Sequence, residues 1–206
     1  MSEHRDDRPT PPVDSQVNHE DWDGRDLSGL ELRRVTFLDV DMTEVTNDGG
    51  VFRECTFRDV RFNASTHTNA AFLNCTFTGC SFFDAKFLGC KLVGSTFDRC
   101  AFSLLKVTGG DWSFVGLPRA DLRGATFFDV RMREADLTGL RGEGADLRHV
   151  DLSGCAFHNA NLSSCDLRGS DLSSVDPTNV ALKGAVVGWE QAVQLATSLG
   201  LEVRPE

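Results

Sequence analysis

Seven cysteines, five histidines and 31 carboxylates are the side chains of this 206-residue chain that could do chemistry. The cysteines are Cys55, Cys75, Cys80, Cys90, Cys100, Cys155 and Cys165, and every one of these numbers is divisible by five. An odd number of cysteines in a chain without an export signal disfavours a disulfide framework, which leaves a metal site, a nucleophile or a packed core. No Cys-x-x-Cys occurs, and Cys75 and Cys80 fall on successive segments of a repeat, so they do not converge on a tetrahedral metal. His4, His19, His149 and His158 are scattered in outward or terminal positions, and only His67 falls in an inward column. There is no Gly-rich phosphate loop, no Gly-x-Ser-x-Gly elbow and no carboxylate pair standing apart from the repeat. The expectation is a protein that is not an enzyme, with no catalytic, cofactor-binding or metal residues and with cysteines acting as small core hydrophobes.

The element that positions these residues is a repeat of five. Stepping by five from Trp22 to Leu182 gives 33 positions, of which only Asn47, His67, Gly142 and Pro177 are not large and apolar. A second column two residues earlier is slim, as at Val35, Cys55, Ala70, Ala120, Ala145 and Ser170, and it contains all seven cysteines. Twelve of the 15 phenylalanines stand in the large column, leaving Phe83, Phe114 and Phe128 outside it. Neither a 3.6- nor a 2.0-residue period fits, so amphipathic helix and alternating strand are both excluded for this region.

Two inward positions per pentad require a chain that turns a corner every five residues. Four corners close a coil of about 20 residues, and coils stack at about 4.8 Å with their main chains paired. The 33 pentads predict an all-β solenoid of about eight coils, roughly 40 Å long. Asp, Asn or Thr before the large residue can bond turn backbone, and Gly at the fifth place relieves unusual dihedrals.

Segments such as Ala120-Asp-Leu-Arg-Gly124 and Ala160-Asn-Leu-Ser-Ser164 resemble the tandem A(D/N)LxG pentads of the pentapeptide-repeat family. The resemblance covers residues 21–187 and implies a right-handed quadrilateral β-helix. After it the period changes: Trp189, Ala192, Val193, Ala196 and Leu199 share one helical face, and Gly200 stops the helix. This tail is similar to that of the gyrase-interacting fluoroquinolone-resistance subgroup, mycobacterial and plasmid-borne (Qnr). There the tail joins two chains end to end into an acidic rod that imitates duplex DNA and binds DNA gyrase, inhibiting it or protecting it from poisons. The frame here runs in one phase, closer to the branch without inserted loops, with residues 46–50 and 65–69 as candidates for a local bulge.

The net charge of −10 divides unevenly. Residues 1–20 carry −3, residues 188–206 carry −2 and the solenoid −5, with 11 acids against eight bases from Asp111 to residue 187. Asp111, Asp121, Asp136, Asp146, Asp151, Asp166 and Asp171 precede large residues, and Asp176 precedes Pro177 in the same frame, near the end that the resemblance places at the dimer centre. They are the candidate partner contacts, set against the plainer role of a turn residue bonded to nearby backbone. Trp189, Ala192, Val193, Ala196 and Leu199 are the candidate dimerisation residues.

The acidic balance argues against direct nucleic-acid binding, and no run is apolar enough for a membrane-spanning helix. The polar start MSEHRDDRPTPP lacks the apolar centre of a secretory signal, so the expected location is cytoplasmic. Three regions are expected: a flexible tail at 1–20, the β-helix at 21–187 and the helix with dimerisation tail at 188–206. The resemblance implies gyrase and a second copy of the chain as partners. A scaffold that binds another protein without mimicking DNA is the alternative.

Overall fold

The computed structural model describes residues 14–204. The large residue of each pentad and the slim one before it both point inward, and together they form a single continuous core from Val17 to Val180. The other three residues face outward. The last of them takes a left-handed backbone in pentad after pentad, glycine as at Gly124 or a polar residue as at Arg34 and Asn159. That conformation turns the corner, and the turn is closed by bonds such as Ala125 N–H to Leu122 O at 2.9 Å.

Successive coils pair in parallel with a register of 20 residues. On the first face Gln16–Asn18 pairs with Thr36–Leu38, which pairs with Thr56–Arg58 and so on to Thr96–Asp98. Isolated bridges extend this column through Gly116 and Asp136 to Ala156, which encloses seven turns. The third face runs from Asp26 through strands such as Thr66–Thr68 and Lys86–Leu88 to Val186. The second and fourth faces are columns made largely of single bridges, beginning at Asp21 and Glu31. The result is the four-sided all-β solenoid that the pentads predict, closed by one helix, Trp189–Ser198.

The first rung lies inside the expected tail. Val17 is buried and Gln16 pairs with Thr36, so the ladder begins ahead of residue 21, and residues 1–13 lie outside the described residues. The first inward residue is a Val, which the count from Trp22 passes over. No bulge forms at 46–50 or 65–69: Thr46–Asp48 and Thr66–Thr68 pair in register. The polar pair is accommodated by bonding instead. Ser65 Oγ donates to Phe62 O at 2.7 Å, so it accepts from His67 Nε2 at 3.1 Å. His67 Nδ1 then accepts from Asn47 Nδ2 at 3.3 Å, and Asn47 Oδ1 accepts the Gly50 N–H at 3.0 Å. Every bond in the chain runs one way, which removes the penalty of burying these groups.

Aromatic rings stack along the axis of the first coils. Phe37, Phe57, Phe77 and Phe97 follow one another at centroid distances of 4.7–4.9 Å and within 6° of parallel. This matches the spacing of the ladder, so one geometry satisfies ring contacts and main-chain bonds together. Beyond Phe97 and Phe102 the same columns continue as Leu117 and Leu122, and Gly142 is filled over by Leu162, whose Cδ2 lies 3.2 Å from where a Cβ would stand.

At this change of core the ladder opens on one side. Arg99 N–H to Pro118 O, Asp121 N–H to Cys100 O, Phe102 N–H to Asp121 O and Leu104 N–H to Arg123 O are the four bonds that the repeat would place there, and none forms. The Ala101 to Asp121 bridge is missing from a column otherwise continuous from Asp21 to Ala181. Among the described residues Trp112 is the largest fully buried side chain; it lies against Phe97 at this level, and its Nε1 has no hydrogen-bond partner among them. The rungs beside the indole itself are intact, Trp112 N–H to Arg131 O at 2.7 Å and Phe97 N–H to Gly116 O at 2.8 Å. A second opening lies between residues 152–159 and 171–178, where the Leu152, Phe157 and Asn159 N–H groups also miss their ladder carbonyls.

Candidate partner-binding surface

The eight candidate carboxylates are spread over all four faces. Asp136 lies on the first face, Asp121 on the second, Asp146 and Asp166 on the third, and Asp111 and Asp151 on the fourth, while Asp176 and Asp171 fall on the first and fourth by the 20-residue count without forming a bridge. Seven of them accept the main-chain N–H two residues on, from Asp171 to Ser173 at 2.8 Å up to Asp151 to Ser153 at 3.3 Å. This is the turn role of an aspartate, and it leaves the other oxygen facing outward.

Arginines take up much of that outward capacity. Arg123 holds Asp121, Arg148 holds Asp146 at 2.7 Å and Arg168 holds Asp166 at 2.7 Å, each from two residues further along. Arg131 reaches Asp111 at 3.3 Å and Arg133 reaches Asp151 across the turns. The Arg123 and Arg168 guanidiniums hold the Asp121 and Asp166 carboxyls below the usual carboxylate range. At Asp111 and Asp151 partial burial pushes upward, but the Ser113 and Ser153 groups and the neighbouring arginines outweigh it and both fall. Asp176 is lowered by the Thr178 hydroxyl and amide. Among the described residues Asp136, Asp171 and Asp176 have no ion-pair partner within 4 Å. The Asp-Leu-Arg triplets at 121–123, 146–148 and 166–168 were the sequence signal for this neutralisation, since a turn brings residues two apart together.

The C-terminal helix caps the last coil through one buried side chain. Gln191 Nε2 donates to Leu167 O at 2.6 Å and Ser170 O at 2.7 Å, and its Oε1 accepts the Gly188 N–H at 2.6 Å and the Gly169 N–H at 3.3 Å. It occupies the place where the next rung would pair, so a side chain completes the ladder. Leu195, one turn on, packs against the core. The other face points away: Trp189 is 81% exposed, Ala192 and Leu199 are exposed, and Val193 and Ala196 are half-buried. Leu201 and Val203, beyond the turn at Gly200, are exposed as well.

Among the described residues no three His, Cys, Asp or Glu side chains form a group that could hold a metal ion. No helix among them is long and apolar enough to cross a membrane. A surface cleft of about 490 Å³ lies between Lys91, Asp111, Arg131, Arg133, His149 and Asp151, and one of about 370 Å³ opens where the ladder is interrupted, beside Cys100, Phe102 and Asp121.

The family model for pentapeptide repeats matches residues 143–176, and that for the SV2A/B/C luminal domain matches residues 28–102. No curated protein sequence matches the chain. Among solved structures, a trypsin-treated form of QnrB1, described as a plasmid-mediated fluoroquinolone resistance protein, is 19% identical with a TM-score of 0.44 and covers 96% of each chain. HetL from Nostoc sp. strain PCC 7120, a pentapeptide-repeat protein involved in regulating heterocyst differentiation, is 18% identical with a TM-score of 0.35 and covers 83% of this chain and 82% of its own. The matching repeats, the five-residue frame and the 20-residue register agree: residues 143–176 are pentapeptide repeats, and the same frame and register run through the rest of the solenoid.

Proposed function

We propose that this protein is a non-catalytic rod that binds DNA gyrase as an end-to-end homodimer, modulating the enzyme or protecting it from fluoroquinolone-type or natural-product poisons. The observation that carries the reading is the C-terminal helix. Its Gln191 and Leu195 side is spent on the solenoid, while Trp189, Ala192 and Leu199 stand exposed at the end of the rod. An apolar row of this kind is expected to be covered by a second copy, and the similarity of the tail to the gyrase-interacting subgroup supplies the partner. Such a dimer would set the eight carboxylates near its centre. Asp136, Asp171 and Asp176, which no arginine holds, are the leading contacts, standing in for phosphates on a surface that needs little ordering. Gyrase as partner implies a cytoplasmic site of action.

A supercoiling assay with purified gyrase, with and without a fluoroquinolone, tests the function. Inhibition of supercoiling or rescue from the drug at micromolar protein is expected, and neither effect at that concentration overturns it. Trp189→Asp or Val193→Asp is expected to halve the mass seen by light scattering on a sizing column, and an unchanged dimer mass removes the tail from the interface. A second reading, a scaffold that binds another protein without imitating DNA, is favoured by the five carboxylates that arginines already neutralise.

A further inference from the structure

Two pairs of cysteines are stacked one turn apart in the slim column, Cys55 over Cys75 and Cys80 over Cys100. In-register neighbours in a ladder lie about 4.8 Å apart, within the roughly 4.4–6.8 Å Cα separation that a disulfide spans. The two pairs are alike electronically. In each, the partner thiol is the leading influence, raising Cys75 and Cys80 and lowering Cys55 and Cys100.

They differ in access. Cys55 and Cys75 are each 1% exposed beneath a complete ladder. Cys100 is the one cysteine of the seven that is not fully buried, and it lines the cleft of about 370 Å³ where four main-chain bonds are missing. A small oxidant can therefore reach one pair and is excluded from the other. The slim column elsewhere tolerates a thiol or a hydroxyl equally, each donating to the carbonyl 23 residues back, as Ser95 Oγ does to Phe72 O at 2.9 Å and Cys100 Sγ to Phe77 O at 3.6 Å.

We propose that Cys100, with Cys80 as its resolving partner, is a reversible oxidation site for hydroperoxides, admitted through the interruption in the ladder. The Cys100 thiolate attacks the peroxide, the O–O bond breaks, and Cys100 becomes a sulfenic acid as an alcohol or water leaves. Cys80 then attacks the Cys100 sulfur, the S–S bond forms, the S–O bond breaks and water leaves. Two thiols and one hydroperoxide thus give a disulfide, an alcohol and water, and an external thiol reverses the change. Closing this bond ties together the two coils at the place where the ladder above them is open.

The test uses the full chain, exposed briefly to hydrogen peroxide near neutral pH and mapped by mass spectrometry without reduction. A Cys80–Cys100 linkage with loss of two hydrogens is expected, forming at least about tenfold faster than any Cys55–Cys75 linkage and reversed by dithiothreitol. Cys100→Ser is expected to abolish it, with the fold kept because serine already serves in this column. Cys80→Ser is expected to leave a sulfenic acid on Cys100 that dimedone traps. Equal oxidation of the two pairs, or a Cys100 that stays a thiol or passes to sulfinic acid with no linkage, overturns the proposal.

Discussion

The solenoid has two halves that share a fold and differ in how they build it. Before Trp112 the inward columns are rich in Phe, stacked face to face at the ladder spacing, and Thr at positions 36, 56, 76 and 96 leads the outward pentads of the first face. After Trp112 the columns are mostly Leu, and the leading outward residue is mostly Asp or Asn, bonded back to the turn. The first half adds ring contacts along the axis, whereas the second relies chiefly on side chain to main chain bonds at the corners, which the first coils share through Asp21, Asp26 and Asp41. One interruption of the ladder, at 99–104 against 118–123, falls near where the two solutions meet, and another, at 152–159 against 171–178, lies within the second half. A repeat fold is nearly a sum of coils and their interfaces, so one interface can be weak without loss of its neighbours.

The largest expected effect separates the two cores. Phe57 is fully buried and parallel to both Phe37 and Phe77, so Phe57→Ala is expected to cost about 3–5 kcal/mol in urea denaturation. Leu137, on the same face of the second half, has no stacked rings, and Leu137→Ala is expected near the lower end of about 2–5 kcal/mol. Equal costs would mean that the stack adds nothing beyond buried area.

A smaller effect belongs to the first half alone. Burial pushes His67 down to about 3, and its protonation would set a second ring N–H against the Asn47 amide donor. The folded value lies below the ordinary 6.5, so the unfolded chain takes up the proton first. The contribution is therefore complete above about pH 6.5 and is lost as pH falls toward 3, by about 2 kcal/mol between pH 7 and pH 5. His67→Phe, which continues the stack onto Phe87, is expected to remove that dependence. A slope unchanged in this variant would place the titration elsewhere.

Much of this molecule was legible in the sequence because one period governs it. The two inward columns, the burial of six cysteines and the end of the helix at Gly200 each follow from a local rule repeated or broken at a countable position. Asn47 and His67 were legible as polar breaks in the large column but not as a bonded pair, since that depends on Ser65, a slim-column residue that carries no signal alone. The open interface beside Cys100 was not legible, because Ala101 and Asp121 are ordinary residues for their positions and no local rule is broken there. The role of Gln191, completing the ladder below, carries no sequence signal because it needs the docking geometry of the helix.

The smallest effect on stability is the most useful for function, because it lets carboxylates be removed without disturbing the coils. Asn161 shows that an amide serves the turn as well as a carboxylate does, accepting the Ser163 N–H at 3.0 Å. Asp136→Asn and Asp166→Asn should therefore keep their turns, and each is expected to move the thermal midpoint by under about 2 °C, since an exposed ion pair such as Asp166 with Arg168 contributes little. If carboxylates stand in for phosphates, the charge that matters is the charge left over after internal pairing. Neutralising Asp136, Asp171 and Asp176 together should then weaken gyrase binding at least about tenfold, and neutralising Asp121, Asp146 and Asp166 should weaken it less, because each of those removals also frees an arginine that can turn to the partner. Titration calorimetry against gyrase reads both sets. Equal losses would mean that the partner meets the paired surface as a whole, and no loss from either set would leave the scaffold reading, in which shape and the outward aromatics carry the contact.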